Sequence, residues 1–273
     1  MSDMWESVAP AWAEQAAFVD EHLAAASERL VEVAGITEGA AVLEVACGPG
    51  GAGLVAARRT GPTGSVLLSD DAPGMVAAAA ERAADLPHVD TALFVQTAID
   101  SDDDRFDAVI SRHGLMFAEP PAAAVREAAR VTRPGGRVAV MTWGPREDNP
   151  WLAATLDAVA DEFGAPFPPP HVPGPFALDS EDALEAALTG GGLEDVTVER
   201  IDAPVTLASL EEWWHRVHRL AGPLAIAMAA MPDEQRRAIE RRALEKAERA
   251  ARTEGHGVTL GGCVLVGCGQ APR

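Results

Sequence analysis

The run Val42-Leu43-Glu44-Val45-Ala46-Cys47-Gly48-Pro49-Gly50-Gly51-Ala52-Gly53 constrains this chain more than any other feature. It joins an apolar strand to a glycine loop and puts a carboxylate near the strand end. In an open α/β sheet, such a junction creates a ligand site beyond the carboxyl end of the strand. Gly48, Gly50 and Gly53 satisfy the dinucleotide pattern G-x-G-x-x-G, and Asp70 stands near the spacing of a ribose-binding acid. Two details favour a different ligand. Pro49 removes a backbone N–H from the loop that would cradle a pyrophosphate, and Glu44 would repel that anion while attracting an ammonium or a sulfonium. On this segment alone both readings stand.

Further segments decide between them. Ser65-Val66-Leu67-Leu68-Ser69-Asp70-Asp71-Ala72-Pro73-Gly74-Met75 reads as a second strand ending in acids, and Phe106 to Ser111 as another strand. Val131-Thr132-Arg133-Pro134-Gly135-Gly136 is a proline-glycine turn feeding the strand that follows it. With the glycine loop, these segments resemble the class I S-adenosylmethionine-dependent methyltransferases from about Trp5 to the end of the chain. The resemblance implies a Rossmann-like α/β fold: a seven-stranded, mostly parallel sheet with an antiparallel last strand, helices on both faces and a helical and loop cap. It also implies S-adenosyl-L-methionine as cofactor. Glu44 and the backbone around Ala46, Cys47, Gly48 and Gly50 would hold its amino-acid end, Asp70 beside Asp71 its ribose hydroxyls, and Met75 its adenine. Ser111, at a strand end, belongs to the same edge.

One departure from the family pattern falls in Phe94 to Asp100, where many related enzymes carry a glycine-aspartate pair in place of Thr97 and Ala98. That aspartate contacts the adenine amino group. Backbone groups of Ala98 and Ile99 are the expected replacements, with Asp100 the alternative. The acids Asp102, Asp103 and Asp104 read as a solvated loop.

The chain has 273 residues, 48% of them hydrophobic, enough for one sizeable core in a single elaborated domain. A formal charge of −20 opposes binding to nucleic acid or an anionic membrane, so the expected partner is a small-molecule methyl acceptor. Cys47, Cys263 and Cys268 form no disulfide or zinc framework, and no apolar leader or membrane span stands out, so a soluble cytoplasmic protein is expected.

Residues 1–38 are expected to form one or two lid helices, and residues 40–143 a cofactor-binding core of alternating strands and alanine-rich helices. Pro166, Pro168, Pro169, Pro170, Pro173 and Pro175 interrupt residues 144–178, which read as an irregular insertion that either covers the site or crosses the surface. A helix from Asp179 to Leu188 and a strand from Val196 to Val205 follow. Residues 206–256 form a helical insertion that shapes a substrate pocket or a homodimer contact. It starts with the capping box Ser209-Leu210-Glu211-Glu212, and a second helix runs from Pro232-Asp233 toward Arg252. Val258 to Gly267 reads as the last strand.

Methyl transfer requires acceptor and methyl to be held in line, about 3 Å apart, and no protein nucleophile. His113, following the strand that ends at Ser111, is the candidate general base, useful for a phenol or enol proton and superfluous for an amine. His22 and His171 are the fallback candidates. His215 and His218 share a helix face at metal-binding spacing but lack a third ligand; beside Trp213 and Trp214 they read as lining a pocket or interface. Cys47 reads as packing, and no metal site is expected. The expected function is O-methylation of a fairly apolar small molecule in secondary metabolism. C-methylation of a quinone precursor, a cofactor-binding protein of non-methylating chemistry and a nicotinamide-dependent oxidoreductase are the competing readings.

Overall fold

The computed structural model describes residues 2–170, 172–254 and 257–273. Three helices open the chain: α1 (Ser2–Glu14), α2 (Ala16–His22) and α3 (Ala24–Val33). The core then alternates β1 (Ala41–Val45), α4 (Gly51–Thr60), β2 (Ser65–Asp70), α5 (Pro73–Arg82), β3 (Val89–Leu93), β4 (Phe106–Arg112), α6 (Pro121–Val131) and β5 (Thr132–Trp143). Next come α7 (Pro150–Phe163), α8 (Glu181–Gly190), β6 (Glu194–Asp202) and β7 (Val205–Leu207). The chain finishes with α9 (Leu210–Leu220), α10 (Gly222–Ala230), α11 (Asp233–Ala250), β8 (Arg252–Glu254), β9 (Gly257–Leu260) and β10 (Cys263–Gln270).

Seven strands form the central sheet in the order β3-β2-β1-β4-β5-β10-β6, and only β10 runs antiparallel to its neighbours. Strands β1 and β4 are apolar along nearly their whole length because helices cover both faces of the sheet. The order reverses at β1, where β2 lies on one side and β4 on the other. A ligand crevice opens beyond the strand ends at such a switch point.

The structure corrects several expectations. The amino-terminal segment makes three helices. Residues 144–178 are not irregular throughout, since α7 spans fourteen of them, begins with Pro150 in its first turn and buries Trp151, Leu152, Leu156 and Val159. Pro150 lies where the helix needs no N–H, and the six interrupting prolines, Pro166 to Pro175, all lie beyond the end of α7. The expected last strand is two: Gly261 and Gly262 separate β9, in a small sheet of order β7-β9-β8, from β10 in the main sheet. A side chain at Gly262 would strike the Ala203 carbonyl, which accepts no bulk where the chain passes between sheets. Helix α10 was not foreseen, because GPLAIAMAA has no amphipathic period to read.

The capping box forms as expected. The Ser209 hydroxyl accepts from Glu212 N at 3.2 Å, while Glu212 Oε2 reaches back to Ala208 N at 2.9 Å. This fixes α9 so that Trp213 is fully buried, its indole N–H donating to the Trp151 carbonyl at 2.8 Å. That bond ties α9 to α7, and α11 braces α7 from outside through Arg242–Glu162 and Lys246–Asp161 ion pairs. No helix among the described residues is long and apolar enough to cross a membrane.

Candidate active site

A cavity of about 500 Å³ opens where the five parallel strands β1 to β5 end. Its lining includes Ala46 to Pro49 after β1, Asp70 and Asp71 at β2, and Phe94 to Thr97 after β3. Arg112 and His113 contribute from the end of β4, and Trp143 from β5. The opening helices add Trp5, Phe18 and His22; Trp151 and Leu152 come from α7, Val217 and Leu220 from α9.

The glycine-loop half follows directly from local backbone geometry. Ala46 and Gly48 have φ of 51° and 52°, and Gly50 has φ of 82°, so the chain turns left-handed three times before α4 begins. Ala46 carries a Cβ in that region, a strained conformation of the kind concentrated at functional sites. A Cβ placed on Gly48 would meet nothing within 4 Å, so the loop borders open space of the kind a cofactor occupies. Asp70, 7% exposed, accepts from Gly48 N at 2.9 Å and Ala72 N at 3.1 Å, which ties the ends of β1 and β2 together and leaves the carboxylate against the cavity. Burial raises its pKa to about 6. Met75, on the first turn of α5, lies buried in the same wall.

Six residues expected at the site, Asp100 among them as the alternative, do not line the cavity, and their roles are corrected. Glu44 is fully buried beneath the loop and accepts from Gly53 N at 2.7 Å; a side chain at Gly53 would come within 2.6 Å of its Oε2. It supports the loop from behind, with burial lifting its pKa to about 7. Gly50 instead packs on Leu68, whose Cδ1 would lie 2.9 Å from an added Cβ. Ala98 is exposed and bridges to Val95, and Ile99 is drawn into the core, where Glu127 accepts its amide and Arg130 donates to its carbonyl. Asp100 is exposed and outside the lining. Ser111 is buried, with its hydroxyl beside Gly114 and no hydrogen bond.

Arg112 is the residue that sequence reading missed in this half. Its side chain is 7% exposed and lines the cavity, donating to Asp20 at 3.0 Å and Ser27 at 3.2 Å. A methyl group on Gly51 would overlap its guanidinium. Asp20 also pairs with Arg82, which donates to the Pro49 carbonyl. An opening helix is thereby latched to the glycine loop. An arginine at the end of an apolar strand carries no motif, so only its tertiary partners expose it.

The other half is aromatic. His113 has φ of 59° and donates its amide to the Met141 carbonyl at 2.8 Å, which holds the turn after β4 against β5. Its ring stacks on Trp143 with centroids 3.8 Å apart. Burial, reinforced by Arg112, holds its pKa well below the ordinary histidine value, so the imidazole is neutral at pH 7. His22 also joins the aromatic lining, whereas His171 lies outside the described residues. His215 is exposed and His218 stacks on Trp214, and neither lines the cavity, which corrects the pocket half of their expected role. Among the described residues, no three His, Cys, Asp or Glu groups are arranged to hold a metal ion.

Comparison with known proteins agrees with this geometry. Residues 43–140 match the family described as a methyltransferase domain. The Mycobacterium tuberculosis protein Rv1405c is 33% identical over 196 residues, covering 69% of this chain and 67% of that protein. A ubiquinone/menaquinone biosynthesis C-methyltransferase of Hahella chejuensis is 32% identical over 46% of this chain, which spans about half (52%) of that relative's length. A putative methyltransferase from Bacillus halodurans has the same fold, with a TM-score of 0.58 and 18% identity over 90% of this chain and 99% of that one. The strand order, the left-handed loop bordering open space, the acid at the end of β2 and the matched domain converge on one conclusion: this chain belongs to the class I S-adenosylmethionine-dependent methyltransferases.

Proposed function

We propose that this enzyme methylates a hydroxyl oxygen of a small, fairly apolar acceptor, with His113 as general base. The supporting observation is a neutral imidazole, held by a left-handed backbone on the turn after β4, in the lining of an aromatic chamber continuous with the glycine-loop half. S-adenosylmethionine supplies an electrophilic methyl group when bound. Asp70 would accept hydrogen bonds from its ribose hydroxyls, Met75 would pack against its adenine, and the backbone of Ala46, Cys47 and Gly48 with Arg112 would receive its amino-acid end, all of them residues of the cavity lining. The carboxylates Asp70, Asp71 and Glu119 in the lining suit a ligand that carries cationic groups.

The side chains of α2, α7 and α9 that cover this chamber exclude water and align the acceptor, the larger part of catalysis for such a reaction. His113 would take the hydroxyl proton as that oxygen becomes methylated, leaving an imidazolium that returns the proton to solvent. C-methylation of a quinone precursor is the second reading, favoured by the Hahella relative. Incubation with methyl-labelled S-adenosylmethionine and a panel of phenols, followed by NMR of the products, tests both. An O-methyl signal supports the first reading, and a ring-carbon methyl replaces it with the second.

A further inference from the structure

The aromatic half concentrates polar atoms that have no hydrogen-bond partner among the described residues. Both ring nitrogens of His22 and of His113, Trp151 Nε1 and Gln96 Oε1 are buried in this way, and all four residues line the cavity. Buried polar groups are almost always paired, so a cluster left open inside one cavity marks a place where a ligand supplies the partners.

The rings around these atoms have a defined arrangement. His113 lies over Trp143 at an interplanar angle of 13°, and Trp151 meets Trp143 edge-on at 5.1 Å and 70°. His22 stands 6.3 Å from Trp143 at 21° and 5.2 Å from Trp151 at 72°. The four rings come from α2, the turn after β4, the end of β5 and α7, so no single helix or strand accounts for the cluster. Charge narrows the occupant further. Asp70, Asp71 and Glu119 line the same cavity, and Arg112, the one Arg or Lys side chain in the lining among the described residues, is already paired with Asp20.

We infer that these four rings form the acceptor subsite and that it takes a planar, uncharged aromatic molecule bearing a hydroxyl, whose oxygen accepts from the Trp151 indole N–H while its proton faces the His113 imidazole. The inference rests on the methyl-transfer reading above and adds the acceptor class and Trp151 as an acceptor-binding residue. Its elements fit one another: a flat ring completes the edge and face packing, a hydroxyl has both an acceptor lone pair and a proton to offer, and neutrality avoids the carboxylates.

Equilibrium dialysis of the full chain saturated with S-adenosylhomocysteine, using naphthalene, 2-naphthol and 2-naphthoate as probes, tests this. The expected ranking is 2-naphthol about tenfold tighter than naphthalene, the size of one added hydrogen bond, with 2-naphthoate weakest. Trp151→Phe keeps an aromatic ring and removes the donor; whatever it does to naphthalene itself, it should bring the 2-naphthol to naphthalene affinity ratio close to one while leaving S-adenosylhomocysteine unchanged. Equal binding of naphthol and naphthalene by the wild type, tighter binding of naphthoate, or an unchanged naphthol preference in a folded Trp151→Phe protein overturns the inference. If that variant does not fold, the wild-type ranking decides. Methyl transfer to 2-naphthol is followed separately: the expected ranking without transfer counts against the reaction, and transfer without the ranking counts against the subsite.

Discussion

In the glycine-loop half of the cavity, Ala46 to Pro49 and Asp70 to Met75 come from two short runs of consecutive residues. The aromatic half gathers Phe18, His22, His113, Trp143, Trp151 and Leu220 from α2, the end of β4, β5, α7 and α9. The first half is made by backbone: left-handed turns, loop amides and a carboxylate that joins two strand ends. The second is made by side-chain packing over long sequence separations. A cofactor common to many enzymes suits a site that local geometry can build repeatedly, whereas an acceptor particular to one enzyme suits a site that packing can vary.

The largest expected effect lies in the aromatic half. His113→Ala should lower turnover about 10²–10⁴-fold, the usual contribution of general acid–base catalysis, with S-adenosylhomocysteine affinity unchanged by calorimetry. Because burial holds the His113 imidazole well below its ordinary range, the acidic limb of the wild-type rate profile should fall below the usual histidine pH, and the variant should lack it. A variant with normal turnover on a phenol would leave proximity and orientation as the whole of catalysis and make His113 a wall.

The two halves should also titrate in opposite senses. Burial raises Glu44 to about 7, so the folded state holds this proton more tightly than the unfolded chain does. The associated stability is present below about pH 4 and is lost as pH rises through about 7. His22 is pushed down to about 4 by burial, partly opposed by the Pro204 carbonyl. Its contribution is present above about pH 6.5 and is lost as pH falls toward 4. Denaturant unfolding of the ligand-free protein should therefore show Glu44→Gln gaining about 3 kcal/mol over wild type at pH 8 relative to pH 4. His22→Phe should reduce the loss on acidification between pH 6.5 and 4, His113 accounting for part of the remainder. Parallel pH curves for wild type and both variants would erase the contrast between the halves.

Two smaller effects belong to the glycine-loop half. S-adenosylhomocysteine at 100 times its Kd should stabilise the protein by about 2.7 kcal/mol in a thermal melt, and NAD should not shift it. The opposite ranking would return the loop to the dinucleotide reading. Asp70→Ala should weaken cofactor binding by about 1–3 kcal/mol, the range for a charge-assisted hydrogen bond with its partners left unpaired. Acceptor affinity, measured by dialysis, should stay constant in that variant. An equal loss of both ligands would mean that the halves are not independent.

The legible part of the molecule follows the same division. Glu44, the glycine loop and Asp70 were readable because a strand running into left-handed turns needs glycine at fixed places. Even there, reading residues as contacts went too far. Glu44, Gly50 and Ile99 face the core or support the loop, since one residue type serves at the surface of a site or one layer beneath it. The small sheet was hidden because the split between β9 and β10 depends on which partner strand each half finds. Trp151 was visible only as apolar bulk in a proline-rich stretch.

The sequence by itself determined the strand-to-glycine-loop junction from Val42 to Gly53, the alternation of strands and helices and the carboxylate at the end of β2, and its resemblance to the methyltransferases implied the sheet and the cofactor. The first three depend on periodicity, turn chemistry and short spacings, all of which act over a few residues. Tertiary structure alone decided the ion-pair latch from Asp20 to Arg82 and Arg112, the meeting of His22, His113, Trp143 and Trp151, and the neutrality of both imidazoles. Burial and ring contact join residues up to about half the chain apart, and a pKa shifted by desolvation exists only once other elements have displaced the water.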